Sequence, residues 1–383
     1  FKKENTMQKK LHNIEKQLNN NFVERSEEIH GLTIALISGS NILYLGPPGV
    51  GKSLLVNSWS KLISKSNYFS WLLTAYSTPE ELAGPYSLKG LEEDKFVRNT
   101  EGKLPEADIA FIDETWKGNS GVLNFLLTIL NERIFYNDGK AQEIPLLTLV
   151  GASNELPEQG DGLEAMLDRF TLKFMVKPIK EASNFSKMLT TDMNNLSPVI
   201  TIEELQQIKS EADKVELNDN IVEILTNLKN KLSDSGLAVS DRTYKNSIKL
   251  LKAEAYYHER GEIIEDDLDI LRHVLWSDPD EEKIVYSAIL DLINPEKNKI
   301  LELFDDAQEI YDSVIKLDSK DPQRLKKGVE VAVKLKEAKK KMHDFYLSLK
   351  NKGKDTKEVK KLEAKIDEYL TEVYNEACGV NFT

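Results

Sequence analysis

The stretch Asn41–Trp59, NILYLGPPGVGKSLLVNSW, constrains the fold more than any other part of the chain. A short apolar run, Ile42–Leu45, stops at a turn built from glycines and prolines, and apolar residues at helical spacing follow Lys52 and Ser53. A buried strand leading straight into a helix belongs to a parallel sheet with helices on its faces. The turn itself fits G-x-x-x-x-G-K-[ST], with Gly46, Gly51, Lys52 and Ser53 at the fixed positions and Pro47, Pro48, Gly49 and Val50 between them. Glycines let successive backbone N–H groups turn inward around an anion, and the new helix points its positive end at the same spot. Lys52 then reaches the β and γ phosphates of a nucleotide and Ser53 its magnesium. The plain alternative is a tight strand-to-helix connection.

A phosphate loop names no reaction by itself, so a carboxylate site is expected downstream. ADIAFIDET supplies one: Ile109–Ile112 reads as a buried strand, and Asp113 stands at its carboxyl end, where open parallel sheets bind ligands. Asp113 suits magnesium, and Glu114 suits the orientation and deprotonation of a water. A third strand, LLTLVGASNE, ends in Asn154, which is either a turn residue or a hydrogen-bonding group between the other two strand ends. LEAMLDRF reads as a short helix closing on Asp168 and Arg169. An arginine there satisfies its own helix dipole or projects into a neighbouring subunit's nucleotide. In VSDRTYKNSIKLLKAEAYYHERG, Ser240 suits an N-cap and Arg242 falls in the first turn, where a cation opposes the dipole and a phosphate would justify it.

The chain has 383 residues, enough for two or three domains, and its 40% hydrophobic and 30% charged residues are those of a soluble globular protein. No apolar run approaches the ~20 residues that cross a bilayer, and the lysine-rich start lacks a secretion signal's apolar core, so a cytoplasmic protein is expected. The net charge of −13 argues against broad binding to nucleic acid. The charge is uneven: Arg324 to Cys378 carries 15 Lys and Arg against 10 Asp and Glu, net +5, which leaves −18 elsewhere. That contrast suggests a basic docking element on an acidic body. The single cysteine, Cys378, is expected to be an unremarkable thiol in a polar tail. Two helices are expected within residues 8–38, interrupted at NNNFVERS. NILYL, YFSWLLTA, IAFID, LLTLVGAS and TLKFMV are strand candidates, and the signal is almost wholly helical from Pro178 onward. The last three helical stretches, from about Lys299, Gln323 and Thr356, each carry one apolar stripe and are expected to pack as a bundle.

LGPPGVGKS, STPEELAGPYSLKGL, GKLPEADIAFIDE, ILNERIF, GASNELPE and LEAMLDRF, in that order, resemble the MoxR group of AAA+ ATPases, and its RavA branch above all. The resemblance runs from about residue 10 to 277. It implies an α/β P-loop nucleotide-binding domain with a parallel sheet, an all-α lid and a ring, usually a hexamer, that hydrolyses ATP with Mg2+ to remodel or load a protein. The domain limits it suggests are 8–178, 179–277 and, for a C-terminal helical docking module, 278–383. By resemblance Lys52 and Ser53 are Walker A, Asp113 and Glu114 Walker B, Asn154 sensor 1, Arg169 the arginine finger and Arg242 sensor 2. Arg133 is a second candidate for reaching across a subunit boundary, and Ser77 to about Lys103 matches the insertion that faces the pore. The family implies a partner with a von Willebrand factor A domain, and ATP rather than GTP. A nucleotide-dependent scaffold with slow turnover and a nucleic-acid motor subunit are the competing readings.

Overall fold

The computed structural model describes residues 4–157, 164–190, 195–318 and 323–378. Five strands form one parallel sheet: β1 (Ile42–Leu45), β2 (Tyr68–Leu72), β3 (Ile109–Asp113), β4 (Thr148–Ser153) and β5 (Leu172–Met175), in the order β2-β3-β4-β1-β5. All five strand candidates of the sequence therefore meet in one sheet. The strand ahead of the phosphate loop is interior, buried along its whole length between β4 and β5. Leu45 pairs with Ser153, and Leu72 with Asp113, so the carboxyl ends carrying the loop, Asp113 and Asn154 share one edge. Gly151 of β4 is needed for packing: a Cβ there would come within 2.8 Å of the Phe170 ring and 3.0 Å of the Thr115 hydroxyl.

The first two helices are α1 (Glu4–Asn21) and α2 (Ser26–Ser38), with Leu11, Ile14, Leu18, Ile29 and Leu32 fully buried. After the sheet come α3 (Ile202–Ala212), α4 (Asp219–Asp234) and α5 (Asp241–Tyr257). Each starts on a capping side chain, Thr201, Asn218 and Ser240, that accepts a first-turn N–H. Helix α5 packs on α2 and α3. The helical stretch after Pro178 also holds a two-residue strand, Ile200–Thr201, parallel to Ile63–Ser64.

Two compact units result, Phe1–Ile289 and Leu290–Thr383. The second has its own core, in which Phe304, Val331, Leu335, Met342, Ile366 and Tyr369 interlock across three helices: α6 (Pro295–Ile315), α7 (Arg324–Asn351) and α8 (Lys357–Glu372). Cys378 is not in a polar tail as expected. It packs against this core, and a Cβ added to Gly328 would lie 2.9 Å from the Ala377 Cβ and 3.1 Å from the Cys378 Sγ, so a larger residue on α7 would make Ala377 and Cys378 shift. Burial pushes its thiol above the ordinary value.

Candidate nucleotide site

The loop Gly46–Gly51 leaves β1 and ends where the helix Lys52–Ser60 begins. Gly46 cannot be replaced without moving the backbone, because a Cβ would lie 2.1 Å from the Val176 carbonyl. Gly51, at φ 88, holds the left-handed conformation that favours glycine, and a Cβ at Gly49 or Gly51 would meet nothing within 4 Å. The concavity is open on the side an anion would enter.

Five side chains converge on it. Lys52 is only 7% exposed, and its Nζ donates to the carbonyls of Gly46 and Pro47 and, at 3.1 Å, to Oδ1 of Asn154. Burial draws the Lys52 ammonium below the ordinary lysine value, against the opposing charges of Asp113 and Glu114. The Ser53 hydroxyl donates to Oδ2 of Asp113 at 3.0 Å. Asn154 bridges: while Oδ1 accepts from Lys52, Nδ2 donates to Oε1 of Glu114 at 2.8 Å. The other Glu114 oxygen lies 3.2 Å from Lys117 Nζ. Glu114 itself sits at φ 51, a left-handed conformation uncommon for glutamate, on a backbone that turns sharply after β3; its N–H bonds Oδ1 of Asp113 at 3.0 Å.

The donor set fits a nucleotide with magnesium. Ser53 and Asp113 offer one hydroxyl and one carboxylate, the sparse protein share that Mg2+ takes when phosphates and waters complete its shell. Backbone N–H groups and Lys52 fit the phosphates. Beside the loop a cleft of ≈ 760 Å³, lined in part by Glu24, Arg25, Met175, Lys177 and Pro178, has room for a base. Arg25 fastens one wall by donating to the carbonyls of Val50 at 3.1 Å and Lys177 at 2.8 Å.

The remaining predicted residues stand at the opposite edge of the sheet. The main-chain carbonyl of Arg169 accepts from Nδ2 of Asn41, the residue that precedes β1, at 3.1 Å. A four-residue strand, about 13 Å at ~3.3 Å per residue, thus separates it from the loop of its own chain. Its guanidinium pairs with Asp168 at 2.9 Å, and its Nε is buried without a partner. Arg242 is there too, donating to Oδ1 of Asn131 at 3.0 Å, and its helix is tied to Asp168 by Ser240 at 3.2 Å and Thr243 at 3.0 Å. Neither arginine is near Lys52.

Arg133, expected as a possible reach across a boundary, is turned inward instead. Its Nη2 donates to Asn41 Oδ1 at 2.8 Å and to the carbonyls of Gly39 and Leu147, so the side chain ties together the segments entering β1 and β4. Burial pushes the guanidinium down to about 10. Residues that sequence reading missed include Lys117, Asn131 and Asn41, whose roles depend on partners far away in sequence. The hairpin Ile134–Asn137/Lys140–Glu143 was missed as well, although its signal was present: Asp138-Gly139, with φ of 51 and 70, is the dipeptide that favours a tight type I′ turn.

Comparison with known proteins agrees with this geometry. Residues 9–215, more than half the chain, match the family described as the MoxR domain in the MoxR-vWA-beta-propeller ternary systems, and residues 220–289 match an AAA lid domain. Two uncharacterized proteins of Methanocaldococcus jannaschii are similar. One is 41% identical over 76% of this chain and 77% of its own length, the other 38% identical over 95% and 96%. The solved structure of a candidate ATPase from Cytophaga hutchinsonii superposes with a TM-score of 0.61 at 18% identity, covering 76% of this chain and 97% of that one, a likeness of fold. With a phosphate loop after one strand, an acidic pair at the end of another and the matches to the MoxR domain and the AAA lid, the chain belongs to the MoxR family of AAA+ ATPases.

Proposed function

We propose that the chain is one subunit of a ring, of six copies in the RavA-like reading, that hydrolyses ATP with Mg2+ and turns lid motion into remodelling or loading of a protein partner. The observation that carries this is the division of the predicted site between two edges of one sheet. Lys52, Ser53, Asp113, Glu114 and Asn154 meet at one edge. Arg169 and Arg242 lie at the other. A complete site then needs two copies, with the arginines of one facing the phosphates of the next. Lys52 and the loop amides hold the phosphates, Ser53 and Asp113 hold the metal, and Glu114 takes the proton from the attacking water. A Mg2+ held by Ser53 and Asp113 would neutralise charge on the nucleotide's phosphates. Asn154 orients Glu114 against Lys52, and the cleft beside Arg25 takes the base.

The division into 8–178, 179–277 and 278–383 assigns these parts to a nucleotide domain, a lid and a docking module, and the family description makes proteins with a von Willebrand factor A domain the partner class to test first. Among the described residues no helix is long and apolar enough to cross a membrane. Glu114→Gln tests the core of the proposal: the variant should bind ATP like the parent and lose at least 100-fold in turnover. Unchanged turnover would overturn the role of Glu114. One observation favours a slowly turning, nucleotide-dependent scaffold: both Glu114 oxygens are engaged, by Asn154 and Lys117. A Lys117→Ala variant that hydrolyses ATP much faster would support that gated state.

A further inference from the structure

Lys173 lies on the edge strand β5, opposite Leu43 of β1, yet only 5% of it is exposed. Its Nζ donates to a single acceptor, the Val274 carbonyl at 2.8 Å, and lies 5.2 Å from the centre of the Trp276 ring. Among the described residues no carboxylate stands within ion-pair distance of it. Trp276 is 2% exposed, and its Nε1–H has no hydrogen-bond partner. Both side chains line one cavity of ≈ 180 Å³, whose other walls include Leu167, Asp168, Thr243 and the exposed Ser240 and Ser277.

Burial works against the Lys173 ammonium, and the opposing charges of Asp168 and Glu281 act on it only from beyond ion-pair distance, while a buried N–H left unmade carries its own cost. Two buried donors on residues that line one cavity, one with a single carbonyl acceptor and one with none, point to a ligand rather than to a coincidence of packing. The N-terminus of α5, capped by Ser240 through Thr243 N–H at 3.1 Å, adds its positive end to the same wall. The one carboxylate there, Asp168, is already satisfied: Oδ2 accepts from Arg169, and Oδ1 from Ser240 and Thr243. We propose that this cavity binds one small oxyanion, of carboxylate or inorganic phosphate type, through Lys173 and Trp276. Bound there, the anion fastens the Val274–Trp276 segment to β5 four residues after Arg169, and so couples the lid to the strand that follows the arginine.

The test uses the full chain saturated with MgADP, which keeps the phosphate loop filled. Thermal midpoints are measured in titrations with sodium phosphate and with sodium acetate at constant ionic strength, for wild type, Lys173→Met and Trp276→Phe. Wild type should show a saturable rise, with apparent affinity at least tenfold weaker in Lys173→Met and several-fold weaker in Trp276→Phe, which keeps an aromatic six-membered ring and loses the pyrrole ring with its N–H. If Lys173→Met does not fold, the Trp276→Phe shift decides. A response to phosphate alone assigns a tetrahedral anion, and a response to acetate as well assigns a carboxylate. Identical curves in wild type and Trp276→Phe, or no saturation in wild type, would leave only water in the cavity and overturn the site. So would bromide-soaked crystals without an anomalous peak next to Lys173.

Discussion

Helices α1, α2 and α5 meet at His30, and the charge held there predicts how firmly the lid helix is attached. Nδ1 of His30 lies 2.9 Å from Glu15, on α1, and Nε2 lies 2.8 Å from Glu254, on α5, so both ring nitrogens must carry protons for both contacts to be hydrogen bonds. Tyr257 donates to the second oxygen of Glu15 at 2.8 Å and stacks on His12, while His258 approaches Glu254 from outside at 3.8 Å. Burial works against the charged ring, but the hydrogen bonds and charges of Glu15 and Glu254 outweigh it and hold His30 at about 10. The same contacts lower Glu15 against the burial that would raise it. A full shift from 6.5 at 1.36 kcal/mol per unit would be worth about 5 kcal/mol. The ring is 30% exposed and its partners share the same interaction, so about 3 kcal/mol is the working figure, within the range for removing one partner of a buried pair. Because the folded pKa lies above the unfolded one, this stabilisation is complete below pH ~6.5, declines as pH rises and is gone above about 10. His30→Ala should therefore unfold in urea with about 3 kcal/mol less stability at pH 6, and its deficit should shrink toward pH 10. A deficit under ~1 kcal/mol, or one that does not change between pH 6 and 10, would refute the assignment of charge to His30.

Arg169→Ala should bind ATP normally and lose roughly 10³-fold or more in turnover, as removal of a finger does; mixing it with Glu114→Gln should restore activity in pockets that combine a sound Glu114 with a sound Arg169, and unaltered turnover in Arg169→Ala alone would end the idea of a shared site. Arg133→Ala should behave differently, costing about 3 kcal/mol in chemical denaturation while folded protein keeps its nucleotide affinity, because its guanidinium serves the carbonyls and Asn41 and no phosphate. Truncation before Pro295 should leave an ATPase that melts cooperatively, since the bundle has its own core; insoluble protein would mean that the bundle is part of the ATPase core.

The sequence by itself determined what depends on neighbours along the chain. All five sheet strands were legible as short apolar runs, and the phosphate loop as a fixed spacing, because a strand entering a glycine-rich turn and a helix is a local arrangement. The Ser240 cap and the three apolar stripes of the bundle were legible for the same reason. Asp113, Glu114 and Asn154 could be chosen because they follow strands of one parallel sheet, and carboxyl ends of parallel strands share an edge. What only the tertiary structure decided depends on partners far off in sequence. Arg133 and Arg169 look alike as arginines near helix ends, yet one is turned into the carbonyls that enter β1 and β4 while the other faces Asp168 at the sheet's far edge. Arg242 has a first-turn position that suggested a phosphate, but the way α5 packs brings it to Asn131, 111 residues earlier. Lys173 is the one charged residue of the strand candidate TLKFMV, and only the return of Val274–Trp276 over β5 makes it a buried group beside a cavity. Local spacing fixes which atoms a backbone can offer, but the direction of a long charged side chain is set by whichever distant acceptor the packed helices bring within about 3 Å.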